Sequence, residues 1–227
     1  MFRLPSHADE RHLAFCAFCG GKTGTRDHCP SRVLLDEPYP ENLPVVPACR
    51  QCNGRFSDDE EYLACLLSCV VVGSTDPAAM PRKKTRRILM QKPALRARLE
   101  QARTTTNERT VFQPEIGRVV TVVTKLAQGH ALYELGEPSH GAPDGIAIRP
   151  LPSLSEAESK WFEFPSVAPI WPEVGSRAMQ RLALGGSDSG WLRVQAGRYR
   201  FHATVGNGVE IRIVIDEYLA GYCRWQI

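Results

Sequence analysis

Cys16-Ala17-Phe18-Cys19 and Cys49-Arg50-Gln51-Cys52-Asn53 are two C-x-x-C knuckles, and Asp27-His28-Cys29-Pro30-Ser31 stands between them. A C-x-x-C turn lets two thiolates converge on one ion with little strain, and a tetrahedral zinc takes four such ligands. Two pairs joined by about 30 residues therefore read as one structural zinc site on Cys16, Cys19, Cys49 and Cys52. Redox chemistry is the poorer reading. A thioredoxin-type C-x-x-C comes singly, at a strand-to-helix junction of a βαβ unit, and no such unit surrounds these cysteines.

The contents of this frame suggest chemistry. Asp27 offers a hard oxygen ligand suited to Mg2+ or Mn2+, and His28 beside it offers a base that titrates near neutrality. Neighbours on a strand point to opposite faces, so both serve one site only where the strand twists or ends. Asn53 adds a second oxygen, fixed by the zinc ligand Cys52 next to it. Asn42, in Asn42-Leu43-Pro44, is placed to pin the loop that carries the histidine.

At these residues the chain resembles the HNH nucleases, the ββα-metal family. That pattern is two knuckles around a D-H-x-x-P element, a middle asparagine, and a last histidine or asparagine. The matches cover about residues 14–56: the first knuckle, Asp27-His28-Cys29-Pro30, Asn42-Leu43, and the second knuckle with Asn53. The resemblance implies a metal-dependent DNA endonuclease or nickase. In it His28 would activate water, Asp27 and Asn53 would bind a divalent ion, and Asn42 would orient the histidine. Two positions depart from the pattern. Asn53 stands where histidine is commoner, although members with asparagine there, the RNA-guided CRISPR nucleases among them, are active. Phe56 stands where a lysine is usual, which leaves Arg55 as the nearest cation for a phosphate.

Charge adds a partner. From Arg82 to Arg103 the chain carries nine basic residues against the single acid Glu100, more than its whole net charge of +3, so the remainder is net acidic. Concentrated positive charge suits a polyanion, because each phosphate it neutralises releases condensed counterions. Arg82, Lys83, Lys84, Arg86 and Arg87, with Arg55, are the expected nucleic-acid contacts, and DNA is the expected partner. A solvated helix face is the bland alternative.

With 227 residues, 43% hydrophobic and 23% charged, the chain can bury a core. Its longest apolar stretch, Cys65 to Val72, is far too short to span a bilayer, so no membrane is expected. Met1 to Glu10 shows no apolar core of a secretory signal, so cytoplasmic residence is expected. Reduced thiols there favour metal binding over disulfides and leave Cys29, Cys65, Cys69 and Cys223 free. Cys65 and Cys69, one helical turn apart, read as core residues and not as a second metal site.

The pattern along the chain is α+β, in three stretches: a zinc-stapled ββα-metal unit over 1–72, a basic helical segment over 73–110, and a helix followed by an antiparallel β unit over 111–227. Ser57 and Glu60 form a capping-box signature that predicts a helix from Asp58 to about Val71, with Tyr62, Leu63, Leu66, Leu67 and Val70 buried. Helices are expected over Lys83–Gln91 and Pro93–Arg103. A polar break spans Thr104–Thr110. A further helix runs Glu115–Leu135, with Val119, Val120, Val123, Leu126 and Ala127 inward and Gly136 ending it. His130 reads as a structural histidine. Irregular connections are expected over Gly141–Pro172. Strands follow over Trp191–Gln195, Arg198–Val205 and Val209–Ile215, with a tight turn at Gly206-Asn207-Gly208 and a short last strand from Tyr222. Three functions compete: the nuclease, a non-catalytic zinc module that binds nucleic acid, and an adaptor whose β unit docks another protein or a second copy.

Overall fold

Two short strands, β1 (Thr25–His28) and β2 (Val45–Ala48), pair antiparallel, with Asp27 opposite Val46 and His28 opposite Val45. They belong to a computed structural model that describes residues 13–106, 109–165, 172–184 and 190–226. The leader reading of Met1 to Glu10 lies outside the described residues. The second knuckle turns directly into α1 (Arg50–Arg55), where the backbone N–H of Cys52 donates to Cys49 Sγ at 3.3 Å.

Helix α2 (Ser57–Val72) forms where its apolar spacing predicts, and it ends on Gly73 in the left-handed region at φ 72°. Its start differs from expectation. Ser57 is already helical, and the N-cap is Phe56, which follows α1 with helical backbone angles and offers no side-chain cap. Glu60 is thereby released from capping and turns into the interior, where it is 9% exposed. Cys65 and Cys69 are fully buried on this helix, as core residues. Helices α3 (Lys83–Gln91) and α4 (Pro93–Gln101) follow as read. The polar break holds structure instead: β3 (Arg103–Thr106) and β4 (Arg109–Phe112) pair antiparallel, favoured by β-branched threonines.

Helix α5 (Ile116–His130) continues through a π-helical turn over Ala131–Leu135 and stops at Gly136, φ 77°. The connection after it is also more ordered than its prolines suggest. It contains β5 (Gly145–Pro150) and α6 (Glu156–Glu163), the latter opened by a capping box between Ser155 and Glu158. After α7 (Arg177–Ala183) come β6 (Leu192–Gln195), β7 (Tyr199–Gly206), β8 (Gly208–Ile215) and β9 (Leu219–Trp225). Gly206 pairs with Gly208 across Asn207, the expected tight turn. One antiparallel sheet results, in the order β5-β9-β8-β7-β6. Among the described residues, no helix is long and apolar enough to cross a membrane.

The centre of the molecule is α5, packed on α2 from one side and on β8 and β9 from the other. Val119, Val122, Val123 and Leu126 are buried, each contributing roughly 1.5–3 kcal/mol of burial free energy. Val122 takes the place expected of Val120, and from Lys125 to His130 every residue is buried. His130 is the structural histidine it was read to be: Nε2 lies 2.8 Å from Tyr199 Oη, the ring stacks on Phe201, and burial pulls its pKa down to about 3. One continuous core runs from Cys29 and Leu34 through α2 and α5 to Trp225, and a smaller cluster around the knuckles receives Leu132 from the π-helical turn.

Two glycines set how closely α5 is held. A Cβ on Gly129 would lie 2.6 Å from Cys29 Sγ, just beyond the end of β1, and one on Gly221 of β9 would lie 2.8 Å from Val123 Cγ1. Neither distance is compatible with a side chain. Gly129→Ala should therefore cost about 1–3 kcal/mol of unfolding free energy by overpacking. Adding Cys29→Ala, which removes the sulfur in the way, should recover a measurable part of that loss. Urea unfolding of the two single variants and the double variant checks this, and purely additive losses would contradict the close-approach account.

Candidate functional site

The four knuckle sulfurs gather as the spacing predicts. The ligand atoms of Cys16, Cys19, Cys49 and Cys52 all lie within 4.8 Å of one another, and Cys19 Sγ is 3.9 Å from Cys49 Sγ. Thiolates bound at about 2.3 Å around a tetrahedral zinc stand about 3.8 Å apart, so the cluster could hold a zinc ion. Local backbone bonds build the cradle. Cys16 N–H donates to Gly21 O at 2.7 Å, and Ala17 N–H donates to Pro47 O at 2.9 Å, which ties the first knuckle to β2. The N–H of Cys52, with the neighbouring thiols, lowers the Cys49 pKa to about 7, while burial first pushes that of Cys52 up.

The second knuckle also fixes β1. Asn53 Nδ2 donates to Thr25 Oγ1 at 3.2 Å and to Arg26 O at 3.1 Å, so its amide nitrogen faces the strand and its oxygen faces away from those partners. Strand β1 ends at His28, which meets the condition for neighbouring residues to share a site. His28 is partly exposed. Partial burial first, and the charge of Arg32 second, hold its pKa below the ordinary value against the pull of Asp27, so the imidazole is neutral at pH 7. Arg32 itself is exposed.

Asp27 points inward. Its Oδ2 lies 2.7 Å from Nζ of Lys125 on α5, a side chain only 1% exposed, and the same ammonium contacts Glu60 Oε1 of α2 and donates to Ser31 Oγ at 3.0 Å. Ser31 donates in turn to Glu60. The rings of Phe18 and Phe56 cover the ammonium at 5.6 and 5.5 Å. Burial lowers and the two carboxylates raise the Lys125 pKa, with a net rise, while burial raises that of Glu60. Among the described residues nothing donates to Asp27 Oδ1, and the side chain keeps 12% of its surface open. Lys125, Glu60 and Ser31 were not expected here. The one signal for Lys125 was a lone charge on the apolar face of a helix.

Asn42 lines an open cleft of about 950 Å3 with Thr25, Arg26, Tyr133 and Arg177, and among the described residues it makes no hydrogen bond to His28. The basic run is largely engaged within the fold. Arg82, expected at a phosphate, is 4% exposed; its Nε pairs with Asp36 Oδ1 at 2.8 Å, and Nη2 donates to Val33 O and Leu35 O. Asp36 is also held by Arg198, and the two guanidiniums outweigh burial to keep its pKa low. Lys84 donates to Arg32 O at 2.8 Å and lies over Tyr39. Arg86 is exposed but donates to Met80 O. Lys92 pairs with Asp58 and Glu61. Lys83, Arg87 and Arg96 are exposed and form no ion pair with another described residue, and Arg55 is exposed over the Phe56 ring.

No protein-family model, curated protein or solved structure matches this chain.

Two substitutions test the knuckles and the buried arginine separately. Cys49→Ser, or chelation of the wild type, should release zinc and unfold the knuckles together, because structural zinc contributes folding free energy directly; zinc release with unchanged circular dichroism would contradict this. Arg82→Ala should destabilise the chain by about 1–3 kcal/mol in urea unfolding, since the carbonyls of Val33 and Leu35 lose their donor while Asp36 keeps Arg198.

Proposed function

We propose that this protein is a zinc-stapled phosphodiester hydrolase of the HNH type acting on DNA. The observation that supports it is His28: a neutral, partly open imidazole at the end of a strand that zinc knuckles, β2 and Asn53 all hold. Such a group is suited to take a proton from water as it attacks phosphorus, a contribution typically of about 100-fold to 10,000-fold. Arg32 and Arg55, both exposed, are suited to meet the non-bridging oxygens. The open oxygen of Asp27 and the amide oxygen of Asn53 are hard donors that fit a divalent ion, Mg2+ or Mn2+. When bound, such an ion would stabilise negative charge on the departing oxygen.

A second reading has its own support. Asp27 Oδ2 is already paired with Lys125, which suits a zinc module that binds nucleic acid without cutting it. The two readings separate on supercoiled plasmid with Mg2+. His28→Ala should keep its zinc and thermal stability yet lose at least about 100-fold in nicking rate. Absence of nicking by the zinc-loaded wild type, with salt-sensitive retardation of DNA, would favour the binding module.

For either reading the polyanion face is reduced to Lys83, Arg87 and Arg96. Replacing all three by alanine should leave unfolding unchanged and lower the salt slope of DNA binding by up to roughly 3, since each phosphate contact contributes about 0.9. An unchanged slope would move the interface to another face.

A further inference from the structure

The network beneath Asp27 has a shape that a purely structural ion pair does not require. Two carboxylates, from β1 and α2, share the single ammonium of Lys125 in a buried place. Burying such a set is a poor way to gain stability, because apolar side chains of similar volume serve as well or better. The network is also one-sided with respect to Asp27. Oδ2 faces Lys125 as an ion pair at 2.7 Å, whereas Oδ1 receives no hydrogen bond from a described residue and the side chain stays partly open. Lys125 is in turn fixed by Glu60, by Ser31 and by the rings of Phe18 and Phe56. A carboxylate held by one oxygen and open at the other is the arrangement that outer-shell partners impose on metal ligands.

We infer that Lys125 is a positioning residue that orients Asp27 to bind a divalent cation, with Glu60 and Ser31 fixing Lys125. This rests on the reading of Asp27 as a cation ligand. It extends the site beyond residues 14–56, because Lys125 arrives on α5, one turn before Gly129, the residue whose missing side chain lets the helix approach the end of β1. The helical and β-rich part of the chain is then a wall of the site. It is not an appendage to it.

The test is Mn2+ binding to the full-length, zinc-loaded protein, read from the electron paramagnetic resonance signal of free Mn2+ and independent of any cleavage. The wild type should bind one Mn2+, and Asp27→Asn should abolish that binding. The double variant Lys125→Met, Glu60→Leu removes one charge of each sign and so keeps the net charge. It should bind about 10-fold to 100-fold more weakly, the usual cost of losing an outer-shell partner. Lys125→Arg, which retains the cation, should recover most of the affinity. Where the double variant lacks the wild-type near-ultraviolet circular dichroism, Ser31→Ala carries the comparison, with an expected weakening of about 10-fold. Wild-type affinity in the folded double variant, or in Ser31→Ala where that variant stands in, would overturn the role of Lys125 while leaving Asp27 as a ligand. Absence of Mn2+ binding by the wild type, or binding indifferent to Asp27→Asn, would overturn both this inference and the cation part of the proposed function.

Discussion

An ammonium that is 1% exposed has to find its counter-charges inside the protein, and Lys125 finds them on two other elements, Asp27 of β1 and Glu60 of α2. Desolvating a lysine costs several kcal/mol unless partners and hydrogen bonds compensate. That requirement ties the positions of the strand and both helices to one another. Much of the surrounding packing serves the same convergence. Gly129 lets α5 touch Cys29, Gly221 lets β9 touch α5, and Phe18 and Phe56 close over the charge from the knuckle side. Strand β1 is thus held at its far end by α5 and along its length by β2 and Asn53. A group mounted on such a strand, as His28 is, arrives oriented, which is what positioned acid–base chemistry needs.

The parts of this fold that are legible in the chain are those whose cause is local. Knuckle spacing brings four sulfurs together because a C-x-x-C turn is closed by its own backbone. Helices α2, α3 and α4, and the hairpin at Gly206-Asn207-Gly208, follow from periodicity and turn chemistry within a dozen residues. The elements that were missed have distant causes. The threonine-rich β3–β4 pair is polar enough to pass for a loop, and β5 owes its place to pairing with β9, some seventy residues later in the chain. Glu60 shows the conflict within one residue. Its spacing from Ser57 reads as a cap, but the helix before it removes the need for one, and the ammonium of α5 claims the carboxylate instead.

The candidate site divides along the same line. Residue types and order singled out Asp27, His28 and Asn53, which stand close in sequence to the knuckle cysteines. The partners that decide what each group can do came from far away. Asp27 turned out to be paired with a helix nearly a hundred residues downstream, and Asn42 to line a cleft with Thr25 and Arg26. Charge counting failed for a related reason. A run of nine cations predicts a field but not how many of its members are free, and Asp36, Glu61 and several backbone carbonyls take their share. What the polyanion would meet is a short edge of α3 and α4, not a uniformly basic segment.

Asp36 makes the consequence general. A half-exposed aspartate in a proline-rich loop has no sequence signature, yet it joins Arg82 at the start of α3 to Arg198 beside β7, and Gln195 of β6 bonds its backbone on both sides. The loop it sits in follows directly from His28 through the buried Ser31. Displacing the loop would therefore disturb Ser31, then Lys125, then the grip on Asp27. Ion pairs that look peripheral in a list of contacts are in this way coupled to the geometry of the catalytic candidates, and substitutions at Asp36 and at Ser31 should prove non-additive. The cysteine knuckles hold one side of that geometry and the Asp36–Arg82–Arg198 node holds the other, with Lys125 between them.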